Sequence, residues 1–83
     1  MVIGKIIGNV WATRKDESLN GLKFMIAQLE NGEKIVVCDY IGAGTGDRVL
    51  ITRGSGARKV LENEGIPIDA ITIGIIDGFE EGE

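Results

Sequence analysis

The chain reads as a mainly β protein: a small five-stranded β-barrel with one short helix between the fourth and fifth strands. Three observations predict this. Apolar segments of strand length recur five times along 83 residues. Thirteen glycines in so short a chain suit many tight turns between them. One stretch near residue 60 departs from the two-residue period and follows helical spacing instead.

The first strand is expected over Val2 to Thr13. Gly4, Ile6, Gly8, Val10 and Ala12 then share one face, and Lys5, Ile7, Asn9, Trp11 and Thr13 share the other. The first face alternates small and medium residues, which suits the inside of a narrow barrel. The second carries Ile7 and Trp11, two large apolar groups among polar neighbours. Either a loop of the same chain covers them or a second subunit does; the pattern alone leaves both open.

Arg14 to Gly21 reads as a polar loop, and Leu22 to Leu29 as the second strand, with Leu22, Phe24 and Ile26 on one face. Asn31-Gly32 signals a hairpin, because both residues tolerate positive φ. Lys34 to Asp39 returns as the third strand, Ile35 and Val37 opposing Val36 and Cys38. Arg48 to Arg53 is the fourth, centred on Val49 and Ile51. The helix starts at Ser55 as N-cap and runs through Ala57, Val60, Leu61 and Glu64. Gly65 fits the position just past its end, and Pro67 cannot continue it. Ile71 to Ile76 is the fifth strand, apolar on both faces, so burial on both sides is expected. The order is OB-like only loosely, since the usual OB-fold places its helix between the third and fourth strands. The barrel domain is expected over residues 1–77, with an acidic, flexible tail over 78–83.

Composition narrows the function. A domain of this length buries only about 60–65% of its unfolded surface. With one Cys there is no internal disulfide framework to compensate, so self-association is the expected source of stability. The net charge is −4. Nucleic-acid binders carry a basic patch, because phosphate contacts supply most of their affinity, and none is visible here. No apolar run reaches membrane-spanning length. The N-terminus reads as strand and not as a cleavable apolar leader, and a lone reduced Cys suits the cytoplasm.

Catalysis finds little support. The sequence has no His, the commonest general base and metal ligand. Cys38 lies within a strand with nothing to activate it and reads as a small buried hydrophobe. The carboxylates are scattered at strand ends. No catalytic, cofactor or metal site is therefore assigned.

Two segments remain distinctive. The turn Gly42-Ala43-Gly44-Thr45-Gly46-Asp47 is not a phosphate loop. Its glycines have the wrong spacing, and a strand follows it where a dinucleotide or Walker loop opens a helix. A tight β–β connection explains the turn; close packing of backbones around a symmetry axis would also explain why three glycines are needed. Arg58, with Lys59, falls in the first turn of the expected helix, where the macrodipole disfavours cations. It is either a solvated surface group or an Arg reaching a carboxylate or carbonyl on a neighbouring chain.

The segments VWATRKDESLNG (Val10 to Gly21), GAGTGD (Gly42 to Asp47) and RGSGAR (Arg53 to Arg58), with the closing stretch from Pro67 to Asp77, resemble one family. It is that of the small shell-vertex proteins of bacterial microcompartments, the EutN/CcmL type. The resemblance runs from Met1 to about Asp77; Gly56 stands where many relatives carry Ser. It implies a structural protein and not an enzyme: a homopentamer that closes the corners of a shell of hexameric tiles in the cytoplasm. It makes Ile7, Trp11 and Arg58 candidates for the subunit interface, and Gly42, Ala43, Gly44, Thr45 and Gly46 candidates for the ring axis or pore. The readings set against it are an OB-like binder of single-stranded nucleic acid and a small co-chaperonin-like ring. The first lacks stacking aromatics beside a basic groove, and the second lacks a long mobile apolar loop.

Overall fold

A computed structural model of the chain describes residues 1–12, 15–63, 65–78 and 80. Five strands close into a barrel: β1 (Val2–Val10), β2 (Lys23–Leu29), β3 (Lys34–Asp39), β4 (Arg48–Arg53) and β5 (Ala70–Ile75), in the order β1-β2-β3-β5-β4. A short helix, α1 (Ser55–Val60), lies between β4 and β5, as the sequence predicts. All neighbours are antiparallel except β3 and β5, which meet in parallel over Cys38↔Ile71 and Asp39↔Thr72.

Two apolar layers result. Ile6, Met25, Ala27, Leu29, Val37, Ala43, Val49, Ile51 and Ala70 fill the barrel. On the outer face of β3 and β5, Cys38 and Ile71 are covered by Ala57 of α1 and by Ile66 and Ile68 from the chain that follows it. The helix therefore acts as a lid on an outer sheet face. Its second residue, Gly56, packs so closely on β4 that a Cβ there would sit 2.8 Å from Thr52 Oγ1, so a larger residue would have to push Thr52 aside.

The third and fourth strands end where the periodicity places them. The first does not. β1 stops at Val10, and the register on β2 slips between Ile6 and Gly8. Ile7 is the extra residue of a β-bulge, which reverses the faces beyond it. Ile6 pairs with Ala27 inside the barrel, but Gly8 pairs with Ile26 and Val10 with Phe24 on the outer face. The single inward face expected for Gly4 to Ala12 therefore holds only as far as Ile6. On β2 the inward face is Met25, Ala27 and Leu29, which leaves Phe24 and Ile26 outside. Thr13, expected at the strand end, lies outside the described residues.

The hairpin between β2 and β3 turns through Glu30, Asn31, Gly32 and Glu33. Gly32 alone takes positive φ, at 88°; Asn31 instead accepts the Glu33 amide on its side chain at 2.9 Å. The expected loop ahead of β2 contains a 3-10 turn, Glu17–Leu19, capped by Asp16. Asp16 accepts both the amide and the hydroxyl of Ser18 on Oδ1, which holds its carboxyl below the usual range.

The helix ends differ from expectation. Gly54 is the N-cap and Ser55 is already helical, with no side-chain cap present. The C-cap is Leu61, and the positive φ that follows is at Glu62 (55°) and not at Gly65. Glu64, expected within the helix, lies outside the described residues. Two turns of apolar pattern thus shorten to six residues, because Ile66 and Ile68 must drop back onto the sheet. β5 is buried on both faces only at Ala70, Ile71 and Thr72; Ile73 and Gly74 are half-buried and Ile75 is exposed. This corrects the expectation of two-sided burial along the whole strand. The parallel pairing to β3 covers only its first residues.

Candidate functional site

The distinctive segments converge on three places. The first is the turn between β3 and β4. Asp39, at the end of β3, turns its carboxylate inward, and its side chain is only 4% exposed. Oδ1 accepts from the amides of Ile41 (3.3 Å) and Ala43 (3.2 Å) and from the Thr72 hydroxyl (3.0 Å). Thr72 Oγ1 in turn accepts the Tyr40 amide at 3.2 Å. Lys23 Nζ donates to the Ala43 carbonyl at 3.1 Å and stands 3.8 Å from Asp39 Oδ2. A buried carboxylate needs such partners, and these tie the turn to β2, β3 and β5 at once.

The far half of the turn is tied to β1. Gly46 donates to the Ile6 carbonyl at 2.8 Å, and Ile6 donates to the Asp47 carbonyl at 2.9 Å. Asp47 Oδ2 accepts the Gly44 amide at 2.8 Å. Positive φ falls at Gly42 (83°) and Gly46 (96°). Gly44 is free of that constraint, and a Cβ there would meet only Asp47 Oδ2, at 3.9 Å. The turn's amides thus point at the chain's own carboxylates and carbonyls, whereas a phosphate loop would turn them toward a ligand. Ala43 is buried inside the barrel, while Gly42, Thr45 and Gly46 are exposed.

The second place is α1. Arg58 Nη1 donates to the Ile68 carbonyl at 3.4 Å, a long bond within the same chain. Because the helix is only six residues, Arg58 and Lys59 lie in its last turn. That is the end the macrodipole favours for cations, which reverses the misfit inferred from sequence. Arg58→Glu is therefore expected to destabilise the subunit by about 1 kcal/mol, losing the carbonyl contact and placing an anion at the wrong end. Chemical denaturation should show this as a lower midpoint at unchanged slope; a neutral or stabilising result would contradict it.

The third place is the wall around β1. Ile7 is 37% exposed at the bulge, and Trp11, just past the strand, is 91% exposed. Among the described residues no loop covers either fully. Val36, 52% exposed, extends the apolar surface, since Gly8, Ile26 and Val36 stand in register across three strands. Sequence reasoning missed Val36, because alternation along β3 does not say which face is wet. It also missed Asp39 as an anchor; the only sign of that role is its place between a strand and a glycine-rich turn.

Cys38 is buried, and burial together with the neighbouring Asp39 carboxylate pushes its thiol pKa up, away from the nucleophilic thiolate. Among the described residues no three His, Cys, Asp or Glu side chains cluster as metal ligands. No helix among them is long and apolar enough to cross a membrane.

Known proteins match nearly the whole length of this chain. The family described as "Ethanolamine utilisation protein EutN/carboxysome" matches residues 1–77. The carboxysome shell vertex protein CcmL of Gloeobacter violaceus is 43% identical over 83 residues, spanning 93% of this chain and 83% of the relative. Its solved structure superposes with a TM-score of 0.88 at 41% identity, over 98% of this chain and 90% of that one. The pentameric microcompartment shell protein GrpN from Rhodospirillum rubrum superposes with a TM-score of 0.88 at 38% identity, over 99% of this chain and 100% of that one.

Proposed function

This chain belongs to the EutN/CcmL family, and on that premise we propose that five copies of it form a ring that closes the corners of a bacterial microcompartment shell. The observation that carries the reading is end-to-end likeness to a pentameric shell protein. The role is structural and not enzymatic. A flat sheet of hexameric tiles cannot close, and a five-sided piece at each vertex supplies the missing curvature. The partners are four further copies of this chain and hexameric shell proteins in the cytoplasm.

The ring is heterologous: one patch of each subunit meets a different patch on the next. Ile7, Trp11 and Arg58 are the candidate contacts, and the exposed apolar wall around β1 supports the first two. In this reading Gly42 to Gly46 lies near the axis, with the exposed Gly42, Thr45 and Gly46 and the open side of Gly44 facing it and Ala43 anchoring the turn from inside the barrel.

Shells assembled with and without the chain test this. Hexameric tiles plus this protein should give closed polyhedra, and tiles alone should give open sheets or tubes. Gly44→Val sharpens the test, because Gly44 has neither positive φ nor a close neighbour within its own chain. The substitution should leave the subunit folded while crowding the axis five-fold, so rings and closed shells should both be lost. Closed shells formed without the chain would contradict the role; intact rings with Gly44→Val would move the turn away from the axis.

A further inference from the structure

A groove of about 530 Å³ opens where β1 ends and β2 begins. Val10, Trp11, Leu22 and Phe24 give it an apolar lining, and Lys15 and Lys23 stand at its rim. Trp11 is 91% exposed there. An indole left almost wholly in water beside the half-buried Val10, Leu22 and Phe24 leaves apolar surface open to a partner.

The sequence contains one segment of matching chemistry. Residues 77–83 read Asp-Gly-Phe-Glu-Glu-Gly-Glu. Four of the chain's thirteen carboxylates lie in these seven residues, so the rest of the chain carries nine acidic and nine basic groups. The whole net charge of −4 thus belongs to the C-terminal segment, which offers one aromatic ring flanked by carboxylates.

We propose that the C-terminal segment of a second copy of this chain docks in the Trp11 groove, with Phe79 against Trp11 and Phe24 and with Glu80 and Glu81 facing Lys15 and Lys23. Trp11 is almost wholly exposed within one chain, which leaves the groove open to a second copy. Reach is sufficient. Ile76 is held at the barrel wall by donating to the Arg48 carbonyl at 2.8 Å. The seven residues beyond it span up to about 25 Å when extended, comparable to the 24 Å width of the molecule. Lys23 keeps 54% of its side chain exposed while bonding the turn, so it can meet a carboxylate without releasing Ala43. Each subunit would thereby strap its neighbour. The inference rests on the ring reading, since it needs that neighbour.

Trp11 is the only tryptophan, so it reports on its own groove. Acrylamide quenching of the full-length chain is measured beside the mass of the assembled particle. In the native ring Trp11 should be protected. Phe79→Ala, and separately Lys15→Glu, should raise quenching severalfold while the ring persists. Joining Lys15→Glu with Glu80→Lys and Glu81→Lys should restore protection. Rings mixed from Phe79→Ala subunits and Trp11→Phe subunits with an intact C-terminal segment should also regain it, because the segment comes from the neighbour. Equal quenching in native and Phe79→Ala rings would overturn the proposal and leave the ring reading standing. Failure of the mixed rings to recover would overturn the assignment to a second copy. Protection gained only on adding single-stranded oligothymidylate would assign the groove to nucleic acid instead. A native particle that weighs as a monomer would sink the ring reading itself.

Discussion

Asp39→Ala is expected to cost the subunit about 3 kcal/mol, because it leaves two amides and a buried hydroxyl without their charged acceptor. In a domain of this size that lowers the melting temperature by about 12–24 °C. The damage should be local before it is global. The amide of Ala43 should exchange with solvent far faster, because Asp39 is its acceptor. Thr72→Val removes one donor to Asp39 and the acceptor of the Tyr40 amide, and should cost about 2 kcal/mol. If Asp39→Ala melts within a few degrees of the native chain, the turn is held by its contacts to Ile6 and not by the buried carboxylate.

Ile7→Glu is the second large effect, and it falls on assembly. Ile7 is the bulged residue, skipped by the register on β2 and lying past the last β1–β4 pair, Lys5↔Arg48, so its side chain can change with little loss to the barrel. If it anchors the neighbour, a charge there should raise the ring's dissociation constant at least about a hundredfold, roughly 2.7 kcal/mol. Far-ultraviolet circular dichroism of the dissociated subunit should stay native-like. Trp11→Glu should act in the same direction. A ring as tight as the native one after Ile7→Glu would show that this wall faces solvent in the assembly.

Much of the architecture was legible in the residues, and the failures have identifiable causes. β3 and β4 were bounded correctly because Lys34 to Asp39 and Arg48 to Arg53 are uninterrupted apolar runs closed by charge or turn residues. The place of the helix was legible because a Gly-Ser start and a Gly-x-Pro stop bracket it. Its length was not, since the short helix is fixed by Ile66 and Ile68 returning to the sheet, a tertiary demand that no local pattern shows. Arg58 then changed from the unfavourable end of a long helix to the favourable end of a short one. The bulge at Ile7 was invisible for a related reason. A two-residue period has no means of announcing an extra residue, and one such residue turned Gly8 and Val10 to the other face.

The candidate site was partly legible. Glycines at 42 and 46 mark positive φ, but the spacing could not say that Gly44, between them, is spared it. Asp39 was one carboxylate among many until the fold brought Thr72 and Lys23 to it, because those partners are distant in sequence. Ile7 and Trp11 stood out early, as large apolar groups among polar neighbours, and both remain accessible in the folded subunit.

The assembly state tests the central claim most directly. Sedimentation equilibrium, or native mass spectrometry, of the full-length chain at micromolar concentration should give one species of five 8.9 kDa chains, with no folded monomer beside it. A monodisperse monomer, or a ring of seven, would contradict the account.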